Sequence, residues 1–243
     1  MKARGRTIRA VLAGFACAWL LGASGSPAFA WSQSDSLDLI RKMEQAYGNV
    51  QDYQTRLIIT GFGSDPAFRK RQTLLYTFKK PNRIRLDFES PHRRMVIIYP
   101  DRNGKVVVQP GFLPNLFALQ LEPSSSLLEI SPGQQINQTD LGLLIRNITH
   151  SLTDFFEGDL SVSDEGENLV VRVLSDNPFR RGVSTRYAFF IDRTLWLPVK
   201  VEESSARGLL QRTVVYSRLR LNIGVRDTFF RLDHDPSHPE GPG

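Results

Sequence analysis

The side chains that most often carry out catalysis or hold metals are few in this sequence, and their spacing is unsuited to either role. The four histidines, His92, His150, His234 and His238, form no His-Glu-x-x-His pair or similar metal-ligand spacing. Cys17 is the single cysteine. No Gly-x-Ser-x-Gly elbow, phosphate-binding glycine loop or distinctive carboxylate pair is present. These residues predict no catalytic site, no metal site and no cofactor, so we expect a binding protein rather than an enzyme.

Two amphipathic helices are predicted among the elements that position the remaining side chains. Residues 34–36 offer N-cap candidates, and apolar residues recur every three or four positions from Leu37 to Tyr47, before Gly48. A second helix is predicted after Thr139-Asp140. Its apolar stripe consists of Leu141, Leu144, Ile145, Ile148 and Leu152.

Most of the remaining chain alternates apolar and polar residues, which is typical of strands with one solvated face. Arg83, Arg85 and Asp87, for example, alternate with Ile84 and Leu86. Similar runs between Pro, Gly, Asn and Asp turns predict about five strands before the second helix and about five after it. The last of these is predicted over residues 229–232. So many consecutive strands should curl into a barrel or half-barrel, because curling hides the sheet edges.

The first 30 residues have the pattern of a cleavable signal peptide. Lys2, Arg4, Arg6 and Arg9 precede an uncharged apolar run. That run is about 14 residues long, shorter than the roughly 20 that span a bilayer as a helix. Small residues then precede a cleavage site predicted after Ala30. The pattern indicates export to the periplasm.

Removal of this segment changes what the composition implies. The full sequence carries 31 Lys and Arg against 25 Asp and Glu, but four of the basic residues lie before Ala30, which leaves a net charge of only +2. We therefore predict no nucleic-acid partner and, without Cys17, no disulfide. The remaining 213 residues suffice for one domain with a large core, predicted over 31–232. A Pro-, Asp-, His- and Gly-rich tail at 233–243 is predicted to be disordered.

Three short stretches resemble the LolA/LolB-like superfamily of periplasmic carriers, and within it an uncharacterised exported branch. They are YTFKKPNRIR at 76–85, LWLPVK at 195–200, and LRLN at 219–222 before Phe229-Phe230. Together with the order of elements, the resemblance covers most of residues 34–232. It implies a mainly β (α+β) fold: a half-open antiparallel β-barrel of about 10–11 strands whose concave face is covered by an N-terminal helix and a central helix.

The family fold also implies an apolar cavity, between the sheet and its helices, that accepts acyl chains. Each buried methylene contributes about 0.8 kcal/mol, so one long chain is enough for useful binding. Inward strand faces usually fill a dense core, so only the set of residues, and no single member, supports a cavity. The residues expected to line it are Leu57, Ile59, Leu74, Tyr76, Ile84, Leu86, Phe88, Ile97, Tyr99, Phe189 and Ile191.

A helical lid over the cavity implies a second group of site residues. In the lipoprotein carrier, an arginine before the proline of the first stretch helps to hold the lid. Lys80 stands at that position here, and lysine lacks the planar multi-donor group of arginine. The other expected lid residues are Leu141, Leu144, Ile145 and Ile148 of the second helix.

Two functions are compatible with these features. The first is a periplasmic carrier or binding protein that shelters a lipid, an acyl chain or a lipoprotein. The alternative is a periplasmic sensor or regulatory protein that binds a protein or lipid signal, as RseB-like proteins use this fold. In either case we expect a monomer, with at most transient contact with envelope proteins or a membrane surface.

Overall fold

The computed structural model describes residues 31–62, 71–112, 118–128, 134–153 and 160–232, which contain two α-helices and eleven strands. The helices are α1 (Gln33–Gly48) and α2 (Leu141–Thr153). The strands are β1 (Asp52–Gly61), β2 (Arg71–Lys79), β3 (Arg83–Ser90), β4 (Val96–Tyr99), β5 (Val106–Gln109), β6 (Leu119–Leu121), β7 (Ser161–Glu165), β8 (Asn168–Asp176), β9 (Ser184–Asp192), β10 (Pro198–Ser205) and β11 (Leu210–Leu221). The predicted signal peptide (1–30) and the predicted tail (233–243) lie outside the described residues.

The strands join one antiparallel sheet in the order β6-β5-β4-β3-β2-β1-β11-β10-β9-β8-β7. Two meanders, β1 to β6 and β7 to β11, are joined where β1 pairs with β11. The outermost strands, β6 and β7, are consecutive in the chain, and α2 lies in the connection between them. The sheet is therefore not closed, and the segment that links its two edges carries a helix. This confirms the predicted half-open antiparallel barrel with two helices.

The first helix begins slightly earlier than the sequence pattern predicts. The Oγ of Ser32 accepts a hydrogen bond of 3.2 Å from the Asp35 amide, and the Asp35 carboxylate accepts one of 2.9 Å from the Ser32 amide. This reciprocal pair is a capping box, so the predicted caps at 34–36 lie inside the helix. The hydrogen bonds from Ser32 also lower the pKa of Asp35. Leu39 and Met43 of this helix are buried in the core shared with the sheet.

The strand predicted over 229–232 is wrong, because residues Asp227–Phe230 form a 3-10 helix. Arg85, only 1% exposed, donates hydrogen bonds of 2.8 Å to the carbonyls of Phe229 and Arg231. Its guanidinium also lies 4.8 Å from the centre of the Phe229 ring. A side chain therefore satisfies backbone groups that a strand would pair with a neighbour. Arg85 therefore fastens the backbone of Phe229 and Arg231 to β3.

Candidate functional site

A cavity of about 70 Å³ lies between α2 and strands β1, β9, β10 and β11. On its sheet side, Ile59 lies directly opposite Val214, and Val214 lies opposite Val201. Val201 in turn lies opposite Phe189. Residues opposite one another on antiparallel strands share a face, so these four form an apolar row across the sheet. Leu144 of α2 lines the other side of the cavity.

The neighbouring row on the same face is polar. Arg212 lies directly opposite Glu203, and Glu203 lies opposite Tyr187. Nη2 of Arg212 donates a hydrogen bond of 2.8 Å to Oε1 of Glu203, and each side chain is only 16% exposed. The Oε1 of Gln134 lies at longer distances, 3.4 and 3.5 Å, from the two terminal nitrogens. Among the residues described, the buried Nε of Arg212 has no hydrogen-bond partner.

Two buried tyrosines hold the start of α2. The amide of Leu141 donates a hydrogen bond of 3.0 Å to the hydroxyl of Tyr53. The hydroxyls of Tyr76 and Thr139 lie 3.1 Å apart. Burial is the main cause that raises the pKa of both Tyr53 and Tyr76 well above the usual value. Both phenols therefore stay neutral, and the helix start is anchored to β1 and β2.

Lys80 contacts α1, and among the described residues its connection to α2 runs through Tyr47. Its Nζ donates to the carbonyls of Tyr47 (3.0 Å) and Gly48 (3.2 Å) at the C-terminus of α1, where a cation interacts favourably with the helix dipole. The Tyr47 hydroxyl donates a hydrogen bond of 3.1 Å to Oδ1 of Asp140, directly before α2. A Cβ at Gly142 would come within 2.5 Å of the Tyr47 ring, so this contact requires glycine. Lys80 is thus connected to the expected lid indirectly.

The predicted cavity residues fall into three groups in the structure. Leu57, Ile59 and Phe189 line the cavity. Six others are buried in the core, at most 8% exposed and outside the cavity lining: Leu74, Tyr76, Ile84, Leu86, Ile97 and Ile191. Phe88 and Tyr99 are half-buried. Of the expected lid residues on α2, Leu144 lines the cavity, whereas Leu141, Ile145 and Ile148 are buried in the core.

The cavity is small for a ligand site. Pockets for small molecules usually measure roughly 300–1,000 Å³, whereas 70 Å³ has room for about two water molecules. The buried stripe of α2, including Ile145 and Ile148, occupies the space beside it. At this volume the cavity is too small for an acyl chain.

The sequence pattern did not identify five residues that define the site: Val201, Glu203, Arg212, Val214 and Tyr216. The alternation of Arg212, Val214 and Tyr216 along the predicted last long strand does place them on one face. Which face points inward, and which residues of β10 lie opposite, depends on the register between strands. That register is a tertiary property, and the local pattern does not contain it.

Within residues 31–62, 71–112, 118–128, 134–153 and 160–232, no helix is long and apolar enough to cross a membrane. In the same part of the chain, no group of three or more His, Cys, Asp or Glu side chains could hold a metal ion.

Comparisons with known proteins find similarity in solved structures. No protein-family model and no curated protein sequence matches the chain. A chain of the MucA/MucB complex from Pseudomonas aeruginosa is 14% identical with a TM-score of 0.45; the match covers 81% of this chain but only 60% of that one. A LolA superfamily protein from Nitrosomonas europaea is 12% identical with a TM-score of 0.39, covering 81% and 97% of the two chains. The lipoprotein LppX from Mycobacterium tuberculosis is 12% identical with a TM-score of 0.39, covering 77% and 96%.

The chain's own architecture is a half-open antiparallel β-barrel. Its open sheet, N-terminal helix and central helix form the arrangement that the sequence resemblance to the LolA/LolB-like superfamily implied. The fold places the central helix over the apolar row.

Proposed function

We propose that this protein is an exported envelope protein that binds the acyl chain of a lipid or lipoprotein between α2 and the sheet, as a carrier or binding protein. The observation that supports this proposal is the apolar row of Ile59, Val214, Val201 and Phe189 beneath an amphipathic helix. A polar row lies directly beside it on the same strands, so the site combines an apolar and a polar strip as an amphiphile does.

The proposal requires α2 to act as a movable lid. In the closed structure the buried residues of its stripe, such as Ile145 and Ile148, shield the sheet from water. An acyl chain that replaced them would bury the same sheet surface, at about 0.8 kcal/mol per methylene. In the ligand-bound state the acyl chain covers the sheet surface that the apolar stripe of α2 covers in the closed state. The free-energy difference between the two states is therefore small.

A hydrogen bond between two serines joins the far end of the lid to the sheet. Near the C-terminus of α2, the hydroxyls of Ser151 and Ser175 lie 2.9 Å apart and join the helix to β8. The start of the helix has the tyrosine contacts described above. We propose that the lid is hinged at its start, near Leu141, where the two tyrosines anchor it, and that it opens at its end, near Thr153.

We propose binding rather than catalysis, since the described polar groups of the site pair mainly with one another. Glu203 pairs with Arg212, and Asp140 accepts hydrogen bonds from Tyr47 and from the Leu143 amide. None of these contacts provides a nucleophile activated by a base.

A second candidate is a sensor that binds a protein partner, and the edge of the sheet favours it. The outermost strand β6 contains Leu119, which is 44% exposed, and Phe112 and Leu127 nearby in the chain are each 79% exposed. An edge strand beside exposed apolar side chains suits the addition of a strand from another protein. This candidate predicts weak lipid retention.

The test is lipid extraction and uptake. The full chain would be expressed in a bacterium with a periplasm, purified without detergent, extracted with organic solvent and examined by mass spectrometry for acylated species. Binding of a fluorescent fatty acid would be measured in parallel. Leu144→Trp should fill the cavity and lower uptake at least tenfold, whereas Leu209→Trp, at a position 72% exposed, should not. A clean extract and no uptake by the unaltered protein would contradict the carrier proposal and favour the sensor.

A further inference from the structure

The polar row beside the apolar row is an unusual feature for a site that shelters acyl chains alone. Arg212 and Glu203 face the same cavity as Val214 and Val201. Charged side chains on an inward face are costly unless they are paired. An apolar pair at these positions would extend the apolar row, so the charged pair points to recognition of a polar group.

The pairing of Arg212 leaves hydrogen-bonding capacity unused. A guanidinium has five N–H donors, yet only the bond to Glu203, at 2.8 Å, is short. The two contacts with Gln134 are 3.4 and 3.5 Å long, and the buried Nε has no partner among the described residues. The arginine can therefore donate hydrogen bonds to an additional anionic oxygen.

The charge of the lining adds a second constraint on the ligand. Within the cavity lining, Arg212 is the cationic side chain and Glu203 and Asp140 are the anionic ones. A ligand with only an anionic group would compete with Glu203 for Arg212 and would meet an excess of negative charge. A ligand with only a cationic group would leave the Nε of Arg212 unpaired.

We propose that the cavity mouth recognises a zwitterionic amino-phosphate headgroup, with the phosphate on Arg212 and the ammonium group beside Glu203. This inference rests on the proposed acyl-chain binding and specifies the ligand class, a phosphoethanolamine-type amphiphile. Charge-assisted hydrogen bonds of this kind stabilise a complex more than neutral ones do. The acyl chain of the same molecule lies along the apolar row.

The test compares two single-chain lipids with identical acyl chains, lysophosphatidylethanolamine and lysophosphatidylglycerol. Dissociation constants would be measured by calorimetry below the critical micelle concentration, with the purified full chain. The unaltered protein should bind the ethanolamine lipid about tenfold more tightly, as expected for one additional charge-assisted hydrogen bond. Glu203→Gln should remove this preference by weakening the ethanolamine lipid, and Arg212→Gln should weaken both lipids because both carry the phosphate.

The matched control is the ion pair of Arg56 and Glu89, whose side chains are 42% and 41% exposed and which is outside the cavity lining. Arg56→Gln and Glu89→Gln should change neither constant. Equal affinity of the unaltered protein for the two lipids would overturn the headgroup inference and leave acyl-chain binding intact. Binding of neither lipid would overturn both. Because the comparison on the unaltered protein decides the question, a variant that folds poorly does not affect it.

Discussion

The backbone amide of Leu141, the first residue of α2, donates a hydrogen bond of 3.0 Å to the hydroxyl of Tyr53 on β1. The amide belongs to the first turn of a helix, where it has no partner within the helix. The strand that lies at the centre of the sheet therefore caps the helix that covers the cavity. The position of the lid depends on a side chain 88 residues away in sequence.

Removal of that hydroxyl should loosen the start of α2. Tyr53→Phe leaves the Leu141 amide buried without an acceptor, which should lower the free energy of unfolding by about 1–3 kcal/mol. Urea denaturation measures the loss, and hydrogen exchange at the α2 amides should accelerate. Tyr99→Phe is the control, because Tyr99 is half-buried and its hydroxyl has no described hydrogen bond. Equal stability of Tyr53→Phe and the unaltered protein would contradict the anchoring role.

Five tyrosines should make the protein sensitive to alkali. Burial is the main cause that raises the pKa of Tyr47, Tyr53, Tyr76, Tyr187 and Tyr216. In the unfolded chain these phenols ionise near pH 10, so above that pH the unfolded state binds fewer protons than the folded one. Below about pH 10 these tyrosines should not change the free energy of unfolding. As the pH rises further, their contribution should lower it.

The measurement is a pH titration followed by both tyrosinate absorbance and circular dichroism. We expect most of the tyrosinate signal to appear together with the loss of β-sheet signal. Ionisation of most tyrosines near pH 10 with the sheet signal unchanged would show that these phenols are accessible to water.

The sequence pattern predicted the elements of the fold better than the site. Alternation from Arg83 to Leu86 and the stripe from Leu141 to Leu152 are local signals, and they correctly indicated a strand and a helix. The many short consecutive strands and the family resemblance together predicted a mainly antiparallel, half-open sheet.

The cavity depends on relationships that no local pattern contains. Alternation identified Leu57 and Leu86 alike as inward residues, yet of these two Leu57 alone lines the cavity. The pairing of β1 with β11, strands from opposite ends of the domain, brings Ile59 beside Val214. The prediction of a strand at 229–232 was wrong because it also missed a tertiary contact. Arg85, a buried residue far away in the sequence, binds that backbone.

Arg85 should be one of the residues on which stability depends most. Its side chain is 2% exposed, that of Asp87 is 13% exposed, and the two are paired at 2.9 Å. Arg85→Gln would leave the carboxylate buried without its cation and would release the carbonyls of Phe229 and Arg231. We expect a loss of about 3–5 kcal/mol in the free energy of unfolding, measured by urea denaturation.

The control is another arginine of the same strand. Arg83 is 39% exposed and pairs with Asp227 at 3.3 Å, so Arg83→Gln should cost less than about 1 kcal/mol. Similar losses for the two variants would contradict the importance assigned to burial of Arg85.

The most direct test of the movable lid is to lock it. The Oγ atoms of Ser151 on α2 and Ser175 on β8 lie 2.9 Å apart, which places the two positions within reach of a disulfide. A protein carrying both Ser151→Cys and Ser175→Cys would be oxidised or reduced, and uptake of a fluorescent fatty acid would be measured in each state. Ser151→Cys alone is the control, and its uptake should not respond to the oxidant. The account predicts at least tenfold lower uptake by the oxidised double variant, with recovery on reduction; unchanged uptake with the disulfide fully formed would contradict it.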